Sequence, residues 1–123
     1  MREGLVIDDN RQTADALKTL LDALDLPARV VIGAHAALPL LQFATPPFVC
    51  LDINMPGLDG SQFLALLRSD ERLQHIPVIV ISSDDQPHTR QRMLDAGAQA
   101  MITKPATLES LEGALRQAGV LPR

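Results

Sequence analysis

The sequence predicts an α/β protein, a five-stranded parallel sheet with helices packed on both of its faces. Three observations predict it. Short apolar runs rich in Val and Ile recur five times without polar alternation. Segments with apolar residues at three-to-four spacing separate them, and polar residues of chemical interest close every run but the second. An unalternating run is how a strand covered on both faces reads, and repeated βα units imply crossovers within one parallel sheet.

The strands are expected at residues 5–7, 29–32, 48–51, 78–81 and 100–102. After the first, Ala14, Leu17, Leu21 and Leu24 follow helix periodicity behind Asn10, a residue type that caps helix N-termini. The stretch 36–43 should also be helical, but Pro39 inside it should kink or shorten the helix. Phe63, Leu64 and Leu67 repeat the helical spacing after Gly60. Gly97 suits the left-handed residue that ends a helix closing on Leu94, Asp95 and Ala96. In the last segment Leu108, Leu111, Leu115 and Ala118 form one stripe behind Thr107 as cap.

With 123 residues the chain is expected to be one domain spanning 1–123, long enough for a single core. A net charge of -4 argues against a nucleic-acid backbone as direct partner. No apolar run reaches the ~20 residues of a membrane span and no signal peptide opens the chain, so a cytoplasmic location is expected. The single Cys50 has no partner for an internal disulfide, and within an apolar run it reads as a buried structural thiol in a reducing compartment. Three Phe with no Trp or Tyr leave few rings for stacking a flavin or bases.

In parallel sheets, ligands sit beyond the carboxyl ends of the strands, at the topological switch point. At those ends stand Asp8 and Asp9, then Asp52, then Ser82 and Ser83, then Thr103, Lys104 and Pro105. Any one of them is explained by a helix cap or an exit turn; four arriving at the same edge are not. Three carboxylates converging at ~4 Å would repel by roughly 4 kcal/mol per pair at an effective dielectric near 20. Lys104 supplies one compensating charge, and the remaining two suit a divalent cation. All-oxygen ligands in an incomplete cage point to Mg²⁺ with retained waters. His35, His75 and His88 lie far apart and read as surface or packing residues. Carboxylate, hydroxyl, ammonium and Mg²⁺ are together the requirements of phosphoryl transfer to an aspartate, with Asp52 as nucleophile.

With these residues the chain resembles a bacterial two-component response-regulator receiver domain over essentially its whole length. The resemblance rests on the 5–9 segment Leu-Val-Ile-Asp-Asp, on Asp52 followed by Met55, Pro56, Gly57, Asp59 and Gly60, on Ser82, and on Lys104-Pro105. It implies a three-layer flavodoxin-like (βα)5 fold with strand order 2-1-3-4-5. It also implies Asp52 as phosphoacceptor, with Ser82 and Lys104 assisting. Mg²⁺ would be held by Asp9, Asp52 and the backbone carbonyl of Asn54, with Asp8 acting through water. Partners implied are a histidine kinase or phosphotransfer protein and a downstream target protein; the protein itself should be a monomer or a weak dimer. Asn54 and Asp84, each two residues beyond a site residue, should tune water access and so the phosphoryl lifetime. Met101 and Ala106 stand where the family often has aromatics, which bears on output rather than on phosphorylation.

Two readings compete within or beside this one. A phosphatase of the haloacid dehalogenase type uses the same inventory, but its nucleophile follows the first strand and its acidic pair comes late. A pseudo-receiver that only binds protein would not need the intact site. Within the receiver reading, a free single-domain regulator and a segment of a hybrid kinase that relays phosphate are both open, with no output domain expected after Arg123.

Overall fold

A computed structural model describes residues 2–57 and 59–122; Met1, Leu58 and Arg123, which fall within the expected 1–123 domain, lie outside the described residues. Strands and helices alternate in the order β1 (Gly4–Asp8), α1 (Arg11–Ala23), β2 (Ala28–Ile32), α2 (Ala34–Phe43), β3 (Val49–Asp52), α3 (Gly60–Ser69), β4 (Val78–Ser82), α4 (Pro87–Asp95), β5 (Ala100–Thr103) and α5 (Leu108–Gln117). All pairings are parallel and the sheet order is β2-β1-β3-β4-β5. The predicted fold class and strand order are those observed. The observed strands run one residue further than predicted at most of their ends.

The lack of alternation in the strands has a direct cause. Leu5, Ile7, Val49, Leu51, Val78, Val80 and Met101 pack with α2, α3 and α4 on one face. Their chain neighbours Val6, Cys50, Ile79, Ile81 and Ile102 pack with α1 and α5 on the other. Each strand residue thus enters one of two cores, and a polar side chain in mid-strand would have no water on either side. β2 departs from the expected pattern: Arg29 is exposed and only Ala28 and Val31 are buried. It is an edge strand, so half of its surface is wet.

Asn10 caps α1, its side chain accepting from the Thr13 amide at 3.0 Å. Thr107 caps α5 in a reciprocal box with Ser110. Two helix expectations are corrected. α2 runs from Ala34 to Phe43 with Pro39 inside it. The proline forfeits one amide bond on the exposed side of the helix, while Ala37 and Leu41 stay buried and hold it in place. In α5 Leu108 is exposed, and Ala114 joins Leu111 and Leu115 on the buried face. Gly97 follows α4 with φ 114, the left-handed backbone expected there. Cys50 is fully buried, and burial pushes its thiol up to about 12, which makes it inert at physiological pH. Among the described residues no helix is long and apolar enough to cross a membrane.

Candidate functional site

The register decides which side chains meet. Ile7 of β1 pairs with Leu51 of β3, so Asp8 and Asp52, each the next residue, stand side by side at the carboxyl edge. This is the point where strand order reverses from β1, whose neighbours are β2 and β3, and where a crevice opens in such sheets. Asp8 and Asp52 are both buried, while Asp9 is exposed at the rim. Carboxylate oxygens from the three lie within 4.8 Å of one another, and this is the group of potential metal ligands found among the described residues.

Each carboxylate is oriented by its own backbone. Asp8 Oδ1 accepts the Asn10 amide at 3.0 Å, and Asp52 Oδ1 accepts the Asn54 amide at 2.8 Å. The second oxygen of Asp52 accepts from Lys104 Nζ at 2.8 Å, an ion pair across 52 residues of chain. Lys104 is delivered there by the end of β5: its amide donates to the Ser82 carbonyl at 2.8 Å, continuing the β4–β5 ladder one residue past Thr103. Three carboxylates facing one ammonium leave an excess of negative charge. The carboxyl of Asp8 is pushed up from 3.8 to about 6, chiefly by burial and further by the neighbouring Asp52, against the lowering by the Asn10 amide and Lys104.

Ser82 is fully buried at the end of β4, and its Oγ accepts the Asp84 amide at 3.0 Å, which leaves its hydroxyl proton free to donate. Asn54 does more than offer a carbonyl: its side-chain Oδ1 accepts the Ser83 amide at 2.7 Å and ties the loop after β3 to the loop after β4. Asp84 turns toward α4, accepting from the Gln86 amide at 2.9 Å and from the Thr89 hydroxyl at 2.6 Å. These bonds, the hydroxyl's first, hold its carboxyl below the ordinary range. The expected site residues Asp8, Asp9, Asp52, Asn54, Ser82 and Lys104 therefore converge on one edge. His35, His75 and His88 are all exposed, and none belongs to the acidic group.

The loop that carries Asp52 forward is constrained by close packing. A Cβ at Gly60 would lie 2.7 Å from Ile53 Cγ2 and 3.3 Å from Met93 Sδ, so only glycine lets α3 begin there. Asp59, placed by sequence reasoning only in the loop, is the cap of α3, accepting from the Ser61 and Gln62 amides. Beside the site, a cavity of about 520 Å³ runs between α1 and the segment after β5, lined by Gln12, Leu17, Leu20, Ala106 and by Asp8 and Lys104 themselves. Thr89 was missed by sequence reasoning. The signal was a hydroxyl two residues after a helix-starting proline and five residues after an aspartate.

A parallel 2-1-3-4-5 sheet with a carboxylate, an acidic pair, a hydroxyl and a lysine at its switch point defines a phosphoacceptor signalling module rather than a classical enzyme. The model of the response regulator receiver domain matches residues 5–116, and the chain belongs to that family. This displaces the phosphatase alternative. The chain is 32% identical over 109 residues to the chemotaxis protein CheY of Pseudomonas aeruginosa, covering 88% of each. It is also 32% identical over 113 residues to response regulator Rre1 of Synechocystis, covering 91% of this chain but 49% of that protein, so it spans about half the length of this relative. Among solved structures, the receiver domain of sensor histidine kinase PA1611 from Pseudomonas aeruginosa, described with a magnesium ion coordinated in its active-site cleft, superposes with a TM-score of 0.82, with 22% identity over 96% of this chain and 98% of that one.

Proposed function

We propose that the protein relays a signal by accepting a phosphoryl group on Asp52 from a histidine kinase or phosphotransfer protein. The observation that carries this reading is the placement of Asp52: one oxygen on Lys104 Nζ at 2.8 Å, and the carboxylate within ligand distance of Asp8 and Asp9. The receiver unit is taken to be the whole of residues 1–123. The hard oxygen donors and the excess of negative charge fit Mg²⁺, as described for the PA1611 receiver. The residues that would hold it are Asp9 and Asp52 by their side chains, Asn54 by its carbonyl, and Asp8 through water. When bound, Mg²⁺ would neutralise charge on the transferring phosphoryl group.

The chain's own residues account for the rest. An oxygen of Asp52 attacks phosphorus, the bond from phosphorus to the donor nitrogen breaks, and its electron pair leaves with the donor imidazole. Lys104 already pairs with Asp52 and can follow a phosphoryl oxygen, while the free proton of Ser82 can be donated to another. Signalling then proceeds through protein contacts with a downstream target or by passing the group onward, the protein acting as a monomer or a weak dimer. Intact-mass measurement after incubation with acetyl phosphate and Mg²⁺ should show one added phosphoryl group on the wild type and none on Asp52→Asn. Modification persisting on that variant would overturn the assignment.

A further inference from the structure

Thr89 is a polar residue buried on α4, 3% exposed, in a position that neither metal binding nor phosphoryl chemistry requires. Its hydroxyl donates to Asp84 Oδ2 at 2.6 Å, and the other oxygen of Asp84 holds the Gln86 amide at 2.9 Å just before α4. The backbone amide of the same Asp84 donates to Ser82 Oγ at 3.0 Å. Asp84 is thus gripped at both ends, by the site hydroxyl through its backbone and by the first turn of α4 through its side chain. We propose that Thr89 is a positioning residue of the phosphoacceptor site: through Asp84 it fixes the Ser82 hydroxyl and makes its movement and the seating of α4 a single event. The proposal rests on the reading of Asp52 as phosphoacceptor.

The argument is geometric. Strand alternation sends Val80 into the core beneath α3 and α4, and Ser82, two residues on, follows that side of the sheet. Among the described residues, the polar contact of its hydroxyl is with the Asp84 amide, toward α4. When a phosphoryl oxygen draws the Ser82 proton, the Oγ either abandons the Asp84 amide or pulls it along. A part-buried amide that loses its acceptor forfeits a hydrogen bond, and the lower-cost path is for the backbone of Asp84 to follow the hydroxyl. Asp84 cannot move without shifting the Gln86 amide and Thr89, which begin α4. The relay also offers a route to output that does not need an aromatic at position 101, where Met101 stands buried.

The test compares wild type, Thr89→Val, Thr89→Ser and Asp84→Ala. Valine keeps the shape and branching of threonine and replaces the hydroxyl by a methyl group; Asp84→Ala cuts the same contact from its half-exposed side, should Thr89→Val fold poorly. Phosphorylation by acetyl phosphate with Mg²⁺ is followed by intact mass, and amide NMR shifts are recorded with and without beryllofluoride. Thr89→Val should be phosphorylated about fivefold more slowly, the effect of one net hydrogen bond. Its beryllofluoride shifts should persist at residues 52–54 and 82 and vanish in the first turn of α4, and Thr89→Ser should restore both. If wild type takes no phosphoryl group, the functional reading fails and the relay falls with it. If wild type is modified and Thr89→Val and Asp84→Ala keep its rate and its α4 shifts, the relay alone is overturned.

Discussion

Asp8→Asn is expected to make the metal-free protein more stable at neutral pH, although it removes a residue of the site. The carboxyl of Asp8 is pushed from 3.8 up to about 6 by burial and by Asp52. A raised folded-state value means that the folded protein holds this proton more tightly than the unfolded chain does. Its stabilising contribution is complete below pH ~4 and is lost as pH rises through about 6. Above that, the folded state carries a carboxylate it would rather keep protonated. Each unit is about 1.4 kcal/mol, which sets a ceiling near 3 kcal/mol; water at the rim, where Asp9 is exposed, roughly halves it. Asparagine resembles the protonated acid: its Oδ1 can keep the Asn10 amide, and its amide can donate toward Asp52. Thermal unfolding in EDTA should therefore show Asp8→Asn gaining about 1.5 kcal/mol at pH 7.5, a rise in Tm of roughly 5 °C. The advantage should fade by pH 4.5, and Mg²⁺ should stabilise wild type more than the variant. A variant less stable than wild type at pH 7.5, or an advantage unchanged at pH 4.5, would refute the reasoning.

Asp9→Ala should lose Mg²⁺-dependent phosphorylation, since the exposed member of the acidic group supplies a direct ligand in the proposed site; isothermal titration showing tight Mg²⁺ binding by the Asp8→Ala, Asp9→Ala double variant would exclude this ligand set. Arg68→Met should cost about 2–4 kcal/mol in urea unfolding, because the guanidinium donates to the carbonyls of Leu73, Gln74, Ile76 and Gly97 and to the Gln99 side chain, and its loss leaves several of them without a donor; a cost below 1 kcal/mol would show that water replaces it freely. Met101 is buried and flexible, so a switch built on its rotamer has little difference between states to work with. Beryllofluoride should move amides of the Asp52 loop, of Ser82 and of the first turn of α4, and leave most of β5 and α5 in place; a wholesale shift from Pro87 through Gln117 would contradict this.

The period of the apolar residues by itself determined the architecture. Five unalternating runs separated by helical spacings admit little besides a parallel sheet covered on both faces, because each strand residue must be apolar whichever core it enters. The strand ends were legible for the same reason: a carboxylate such as Asp52 after four apolar residues can only stand at the edge of the sheet, where polar partners such as Lys104 meet its charge. The family resemblance then supplied the strand order and the roles. Local signals were weaker where a neighbour in space had the casting vote. Pro39 sits inside a helix because Ala37 and Leu41 anchor it from the buried side, and Leu108 is exposed, although it shares a helix face with buried Leu115, because it is the first residue of α5. Only the tertiary structure decided that Asp84 faces α4, that Thr89 is buried against it, and that Arg68 gathers carbonyls from the segment between α3 and β4 and from the turn before β5. Such polar contacts leave no period in the sequence. A hydroxyl or a guanidinium is placed by the geometry of the groups it must satisfy, and those come together only once the sheet has formed.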